Sequence, residues 1–486
     1  MITNERAKAN YPRIGLFIDG RWEYERPACA EVLNPSDDQV LATVPKATTE
    51  DISAALESSR RGFAVWRDLA PEARSRILLR AANLLRERAD RIGTIISLEL
   101  GKPFADARAE VERTCGLLEW DAGEGMRLYG RIIPSAPGSQ NFVLRQPIGP
   151  VTAFTPWNAP VGSPTRKVSG ALAAGCSVIL KAAEETPGAA CEFVQCFADA
   201  GLPAGVLNLV FGNPSEISRQ LIDSPTIRMV TFTGSIPIGK HLTQLAAAQM
   251  KPVLMELGGH APVIVCEDVD ASAVGRLAAA AKVRMAGQIC ISPTRFLVVG
   301  KAYEAFVAAL GESVSGIRVG DAFAADTQMG PVANARRLTA VTQLVDDAVS
   351  DGARLVTGGK RIGTKGCFYA PTVLADVPLE VRAMKEEPFG PLALCTRVRD
   401  LDEALQIANS LSVGLAGYAF TNSLANAEKI ARLLECGTLS INHFGGPAAN
   451  MPFGGVKESG IGREGGLESL DSYTITRNVS QKASLS

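Results

Sequence analysis

From residue 148 onward the chain alternates short apolar runs with longer amphipathic ones, and this rhythm constrains the fold more than any other feature. Residues 151–154, 177–181, 206–210, 229–233 and 253–256 read as strands. Helices are expected between them, the first ending at 174 and the others at 186–200, 215–223 and 236–250. Gly175 suits a left-handed cap on the first of these helices. Strands that are apolar on both faces, each followed by a helix, belong to a parallel sheet covered on both sides. Such sheets bind ligands in the crevice outside the carboxyl ends of their strands. The residues just after each strand are therefore the place to look for chemistry.

The flanking segments read differently. Residues 49–129 are expected to be helical, because Ile77, Leu78, Ala81, Leu84, Leu85 and Ile92 recur at three- and four-residue spacing. Pro71, followed by Glu72, suits a helix start. Residues 130–147 look extended and polar. A second β/α series begins after Gly258-Gly259, with strands at 262–265 and 295–299 and helices at 271–285, 304–313, 335–351 and 425–435. Residues 472–479 alternate weakly, as a strand would. No internal repeat or low-complexity tract is present. A chain of 486 residues exceeds one ordinary core, so two α/β domains joined near 257–260 are the simplest reading.

Composition excludes several classes. With 50 basic and 51 acidic side chains the formal net charge is −1, which argues against an electrostatically driven nucleic-acid binder. No run approaches 18 apolar residues, so no membrane span is expected. Residues 1–13 are polar and lack the apolar stretch of a signal peptide, which makes the cytoplasm the expected address. Ten cysteines in this length are not a disulfide scaffold. None form Cys-x-x-Cys, and the three histidines, His241, His260 and His443, make no His-Glu-x-x-His, so no metal site is expected. Most of the thiols should be buried and inert.

Four motifs could carry chemistry. Cys290 follows Gly287-Gln288-Ile289; alone, such a cysteine is more often structural. Glu256 ends a strand and precedes Leu257-Gly258-Gly259. Taken alone it reads as a surface carboxylate, but near a thiol it could activate water. Thr155-Pro156-Trp157-Asn158 follows the first strand of the sheet. Its asparagine is either a turn former or a neutral donor for a developing oxyanion. Thr233-Gly234-Ser235 lies between strand and helix, where backbone N–H groups can meet a phosphate. The Gly-x-Gly-x-x-Gly fingerprint is absent.

Taken together and in order, these motifs resemble those of the aldehyde dehydrogenase superfamily along nearly the whole chain. Pro-Trp-Asn, Phe-Thr-Gly-Ser, Glu-Leu-Gly-Gly, Gly-Gln-x-Cys, Glu-Pro-Phe-Gly-Pro at 387–391 and Pro-Phe-Gly-Gly-x-Lys-x-Ser-Gly at 452–460 are specific in combination. The resemblance implies two doubly wound α/β domains, a Rossmann-like cofactor domain and a catalytic domain, with a small β oligomerisation element. The implied boundaries are 1–129 with 148–257 for NAD binding, 258–445 for catalysis, and 130–147 with 470–486 for assembly as a homodimer or homotetramer. It also implies oxidation of an aldehyde to an acid, with Cys290 as nucleophile, Asn158 as oxyanion donor and Glu256 as the base that activates water. Thr155, Pro156, Trp157, Lys181, Glu184, Gly234, Ser235, Glu387 and Phe389 would hold the cofactor. A carboxylate at Glu184 accepts a ribose hydroxyl and repels a phosphate, so NAD is expected over NADP, although Lys181 pulls the other way. Relatives that pass the acyl group to coenzyme A generally lack the Glu256 carboxylate, so hydrolysis is expected.

Two positions depart from the family pattern. Lys181 is followed by Ala182 instead of proline, and His260 stands where lysine or asparagine is usual. The imidazole either modulates Glu256 or faces away.

For the substrate, Arg166 and Arg284 match positions that carry arginine in succinate-semialdehyde dehydrogenases and there bind the substrate's carboxylate. Arginine suits that task because its planar fork meets a carboxylate bidentately. Without this match, Arg166 reads as a solvated helix-start residue and Arg284 as a helix end-cap. His443 lies in the loop of late substrate contacts. A carboxylated semialdehyde is expected. The alternatives are a neutral aliphatic or aromatic aldehyde in a tunnel lined by Trp157, Phe444 and Met451, a scaffold-retaining binding protein without turnover, and an esterase using the same thiol.

Overall fold

The computed structural model describes residues 4–482. Residues 483–486 of the expected assembly segment, and residues 1–3, lie outside the described residues. The described residues build two large β-sheets, each layered with helices, and three smaller ones.

In the first large sheet, five parallel strands run in the spatial order Leu207–Val210, Val178–Lys181, Val151–Phe154, Met229–Gly234, Val253–Leu257. Their side chains are almost all buried, as the unbroken apolar runs require. Numbered along the chain this order is 3-2-1-4-5, so the direction of winding reverses beside Val151–Phe154. A crevice opens at such a reversal, at the carboxyl ends of the strands. Both Thr155–Asn158 and Gly234-Ser235 leave the sheet there.

The antiparallel edges of this sheet had no counterpart in the sequence reading. Leu16–Ile18 and Arg21–Glu23 close one edge and Gly460–Ile461 the other. Strands of two or three residues carry no period to read. The pairing of Glu256 with Gly460 brings a C-terminal segment against the strand that bears the carboxylate.

The second large sheet has seven strands and includes Pro262–Val265 and Arg295–Val299, as expected. It also contains Thr372–Ala375, Leu392–Val398, Ala416–Phe420 and Thr438–Ile441, which the sequence reading passed over. The helical region 49–129 is four helices: Thr49–Arg67, Pro71–Glu87, Ala89–Leu100 and Phe104–Glu124. The first opens on a capping box between Thr48 and Asp51.

Helix Ala271–Val283 ends two residues sooner than expected. Met285 and Ala286 both adopt φ near +50°, and Gly287 follows at +71°. Three successive left-handed residues cannot continue a right-handed helix, and the two non-glycines are strained. A Cβ on Gly287 would stand 2.1 Å from the Gly390 carbonyl oxygen, so glycine is required on both counts.

Residues 131–147 and the tail form a separate three-stranded antiparallel sheet. Thr474–Lys482 pairs with Ser139–Pro147 over nine residues, and Arg131–Ile133 lies on the far side. Tyr129, Ile132, Leu144 and Ile475 are exposed in or beside this sheet. Among the described residues, no helix is long and apolar enough to cross a membrane.

Candidate active site

The left-handed turn 285–287 delivers Cys290 to the mouth of the crevice. The Gly259 backbone packs against the Cys290 carbonyl, where an added Cβ would lie at 3.2 Å. Seven of the ten cysteines are buried; Cys290 is only half-buried. Burial of its sulfur, and the nearby Glu387 and Glu256 carboxylates, push the thiol up to about 12, while Arg166 and the residue's own N–H pull it down.

Glu256 is 3% exposed, which overturns the surface-carboxylate reading of that residue taken alone. Neither side-chain oxygen has a hydrogen-bond partner. Burial and the like charge of Glu464 hold its carboxyl well above the usual range, against the opposing pull of Lys167, Arg166 and Arg463. The Glu256 Oε1 sits where a Cβ on Gly454 would come within 2.7 Å, so the Pro452–Gly455 run walls the carboxylate.

Asn158 is buried, and its side-chain Nδ2 donates to the Gln288 carbonyl at 2.9 Å. An amide nitrogen carries two hydrogens, so one stays free for a second acceptor. Asn158, Cys290 and Glu256 thus converge from three separate parts of the chain.

The residues expected to hold a dinucleotide line the same crevice. Lys181 Nζ donates to Glu184 at 2.7 Å, and Glu184 Oε1 accepts the Gly212 N–H at 2.9 Å. The lysine charge is therefore engaged by the adjacent carboxylate. Ser235 precedes helix Ile236–Ala248 with an extended backbone, and its side chain caps no N–H. The first N–H groups of that helix remain available for an anion. Glu387 Oε2 lies 2.5 Å from the Cβ position of Gly258, so a side chain there would displace the carboxylate. Burial pushes Glu387 up to about 8, offset in part by the Gly259 N–H, Arg337 and Lys282. Phe389, at φ +41°, stands edge-on to Trp157 with ring centroids 5.5 Å apart.

The substrate candidates separate. Arg166 lies in helix Gly162–Ala174 with its guanidinium 4.8 Å from the Phe453 ring centroid, and its Nη1 is buried without a partner. It is not a solvated helix-start residue. Arg284 is exposed and near Tyr418, whose hydroxyl donates to the Ile291 carbonyl at 2.7 Å. His443 is exposed and turned onto its own loop, its Nδ1 accepting the Gly445 N–H at 2.9 Å. Phe444 packs on Tyr418 and Phe420 at centroid distances of 5.1 and 4.9 Å, whereas Met451 is 54% exposed.

His260 faces away from Glu256. Its ring nitrogens meet Thr294 Oγ1 at 2.7 Å and the Ala383 carbonyl at 2.9 Å, and burial beside Arg295 lowers it to about 3. It is a neutral structural imidazole.

Two site residues escaped sequence reasoning. Lys167 and Glu464 form an ion pair at 2.5 Å, both almost fully buried, behind Glu256. Lys167 adjoins Arg166, and Glu464 follows the Pro-Phe-Gly-Gly run by a few residues. Nothing in their spacing, 297 apart, announces the pairing.

The sequence profile of the aldehyde dehydrogenase family matches residues 22–479. The chain belongs to the aldehyde dehydrogenase family. It is 44% identical over 467 residues to a putative 4-(hydroxymethyl)benzenesulfonate dehydrogenase of Comamonas testosteroni, covering 95% of this chain and 97% of that one. It is 37% identical to the NADP(+) succinate-semialdehyde dehydrogenase of Escherichia coli strain K12, covering 96% and 97%. The crystal structure of succinate-semialdehyde dehydrogenase from Burkholderia pseudomallei superposes with a TM-score of 0.94 at 36% identity, covering 97% of this chain and 98% of that one. As an aldehyde dehydrogenase, the protein is an oxidoreductase that acts on a small aldehyde with NAD or NADP.

Proposed function

We propose that this aldehyde dehydrogenase oxidises an aldehyde bearing a remote anionic group to the free acid, with NAD as the preferred cofactor. The observation that carries the substrate class is Arg166, a cation close enough to Cys290 and Glu256 to influence both, with a buried Nη1 that has no partner. A buried guanidinium N–H without an acceptor is costly, and a substrate carboxylate or sulfonate would satisfy it. The two relatives described above are named for a benzenesulfonate and for succinate semialdehyde, both of which carry such a group.

The reaction follows from the residues. A neutral Cys290 must lose its proton before it attacks, because the thiolate is the nucleophile. Glu256, with its raised proton affinity, takes that proton directly or through a water. The sulfur bonds to the carbonyl carbon, and the oxygen gains the displaced pair. The free hydrogen of the Asn158 amide and the Cys290 N–H hold this oxyanion, leaving a thiohemiacetal on the cysteine. A bound nicotinamide supplies the hydride acceptor. Loss of the carbon-bound hydrogen as hydride lets the oxyanion return to a carbonyl and leaves a thioester on Cys290. Glu256 passes its first proton to solvent and, as a carboxylate again, removes a proton from water; the hydroxide attacks the thioester, and the carbon–sulfur bond breaks to release the acid and the thiolate, which regains the proton held by Glu256. Lys167 and Glu464 set the charge behind Glu256.

The preference for NAD rests on Glu184. Its carboxylate neutralises Lys181, so the pair offers a 2′-phosphate no net positive charge, while the carboxylate can still accept a ribose hydroxyl. The assembly of subunits through the sheet of residues 131–147 and the tail, as a homodimer or homotetramer, belongs to the same proposal. Steady-state kinetics with succinic semialdehyde, glutaric semialdehyde, benzaldehyde and propanal, each with both cofactors, test the reading. Higher kcat/KM for the semialdehydes with NAD is expected; preference for the neutral aldehydes or for NADP would refute the corresponding part.

A further inference from the structure

Asn158 is held from two sides. Its side chain is fixed by the Gln288 carbonyl, and its backbone carbonyl accepts a hydrogen bond from Lys102 Nζ at 3.3 Å. Lys102 sits in the turn between helices Ala89–Leu100 and Phe104–Glu124, only 7% exposed, and its ammonium pairs with Glu110 on the second helix. The other carboxylate oxygen of Glu110 accepts the N–H groups of Val161 at 3.3 Å and Gly162 at 3.2 Å, at the start of helix Gly162–Ala174. One buried ion pair therefore grips both ends of the 158–162 turn, the cation on its carbonyl and the anion on its amides.

Stability alone explains this arrangement poorly. Taking two charges out of water costs about as much as their attraction returns, and apolar residues of similar volume often do as well. An oxyanion donor, in contrast, works only when its hydrogen already lies where charge will develop.

We propose that Lys102 and Glu110 are positioning residues that orient the Asn158 amide toward the oxyanion formed at Cys290. This inference rests on the reading of Asn158 as the oxyanion donor. The ion pair acts on the step that forms and collapses the thiohemiacetal and leaves cofactor and aldehyde binding unchanged.

The test is a double-mutant cycle. Lys102→Met and Glu110→Gln are made alone and together with Asn158→Ala. Single-turnover NADH formation from succinic semialdehyde, KM, NAD affinity by fluorescence and Tm are measured on the full-length enzyme. Losing one oxyanion donor slows related chemistry by about 10²–10³-fold, so misaiming it by Lys102→Met should slow single turnover about tenfold or more, with KM and NAD affinity within about twofold. In the Asn158→Ala background the same change should cost less than about twofold, because no donor is left to orient. Lys102→Arg, which keeps the cation, should recover most of the rate. Should Lys102→Met fail to fold, Glu110→Gln carries the test, since it removes the charge but keeps an oxygen for the two N–H groups. Equal losses in both backgrounds, or full rate in the single variants, overturn the proposal. If Asn158→Ala itself turns over at the full rate, the oxyanion reading falls and the ion pair has nothing to orient.

Discussion

Replacing Arg166 with methionine tests the substrate class most directly. Methionine keeps a flexible apolar chain over Phe453 but removes the guanidinium whose Nη1 is buried and unpartnered. A hydrogen bond to a charged group contributes about 1.5–3 kcal/mol. At about 1.4 kcal/mol per tenfold, one such bond corresponds to roughly 10- to 150-fold in kcat/KM for succinic semialdehyde. Arg166 also favours the Cys290 thiolate, so every aldehyde should react more slowly in the variant. The informative quantity is therefore a ratio. Butanal has the same chain length without the acid, and the loss through the thiolate cancels between the two substrates. The ratio of kcat/KM for succinic semialdehyde to that for butanal should fall by at least about tenfold. Arg284 is exposed, and water screens it, so Arg284→Ala should change the same ratio by less than about fivefold. An unchanged ratio in Arg166→Met, or a larger effect from Arg284→Ala, would refute the assignment of the anion subsite.

Other outcomes follow from the same structure. Lys167→Met strands the buried Glu464 carboxylate and should cost about 3–5 kcal/mol in urea denaturation, with much of the loss regained when Glu464→Gln is added. If the single variant is as stable as the parent, the pair is not structural. Cys290→Ser should abolish NADH formation, and alkylation of Cys290 by iodoacetamide in the cofactor-free enzyme should keep rising with pH towards about 12; a plateau near pH 8 would contradict the thiol's environment. His260 has its proton affinity lowered to about 3 by burial, against about 6.5 unfolded. The unfolded chain thus binds the extra proton first, so this contribution is complete above pH 6.5 and is lost as pH falls towards 3, at most about 5 kcal/mol. His260→Gln should show a flatter fall in urea midpoint over that window. Gly287→Ala should nearly eliminate activity and lower Tm, since it adds strain at φ +71° and a clash with the Gly390 carbonyl.

Much of the fold was legible because parallel strands buried on both faces must be apolar throughout, and the helices between them must be amphipathic. The five central strands and their helices fall within a few residues of expectation. The Cys290, Glu256 and Asn158 motifs each read singly as structural; only their combination and order along the chain, which resemble those of the aldehyde dehydrogenase family, pointed to chemistry. What sequence alone could not decide is everything set by contacts between distant segments. Glu256 looked like a surface carboxylate until Gly460 and the Pro452–Gly455 run closed over it. Arg166 and Arg284 looked alike, yet one helix turns its guanidinium onto Phe453 and the other position lies open to water. The ion pairs Lys167–Glu464 and Lys102–Glu110 leave no periodic trace, because a single charge buried by tertiary packing reads, in one dimension, the same as a charge in solvent. Local pattern thus determined which elements form and where chemistry could sit, while burial, which exists only once the sheets are packed, decided which charges act.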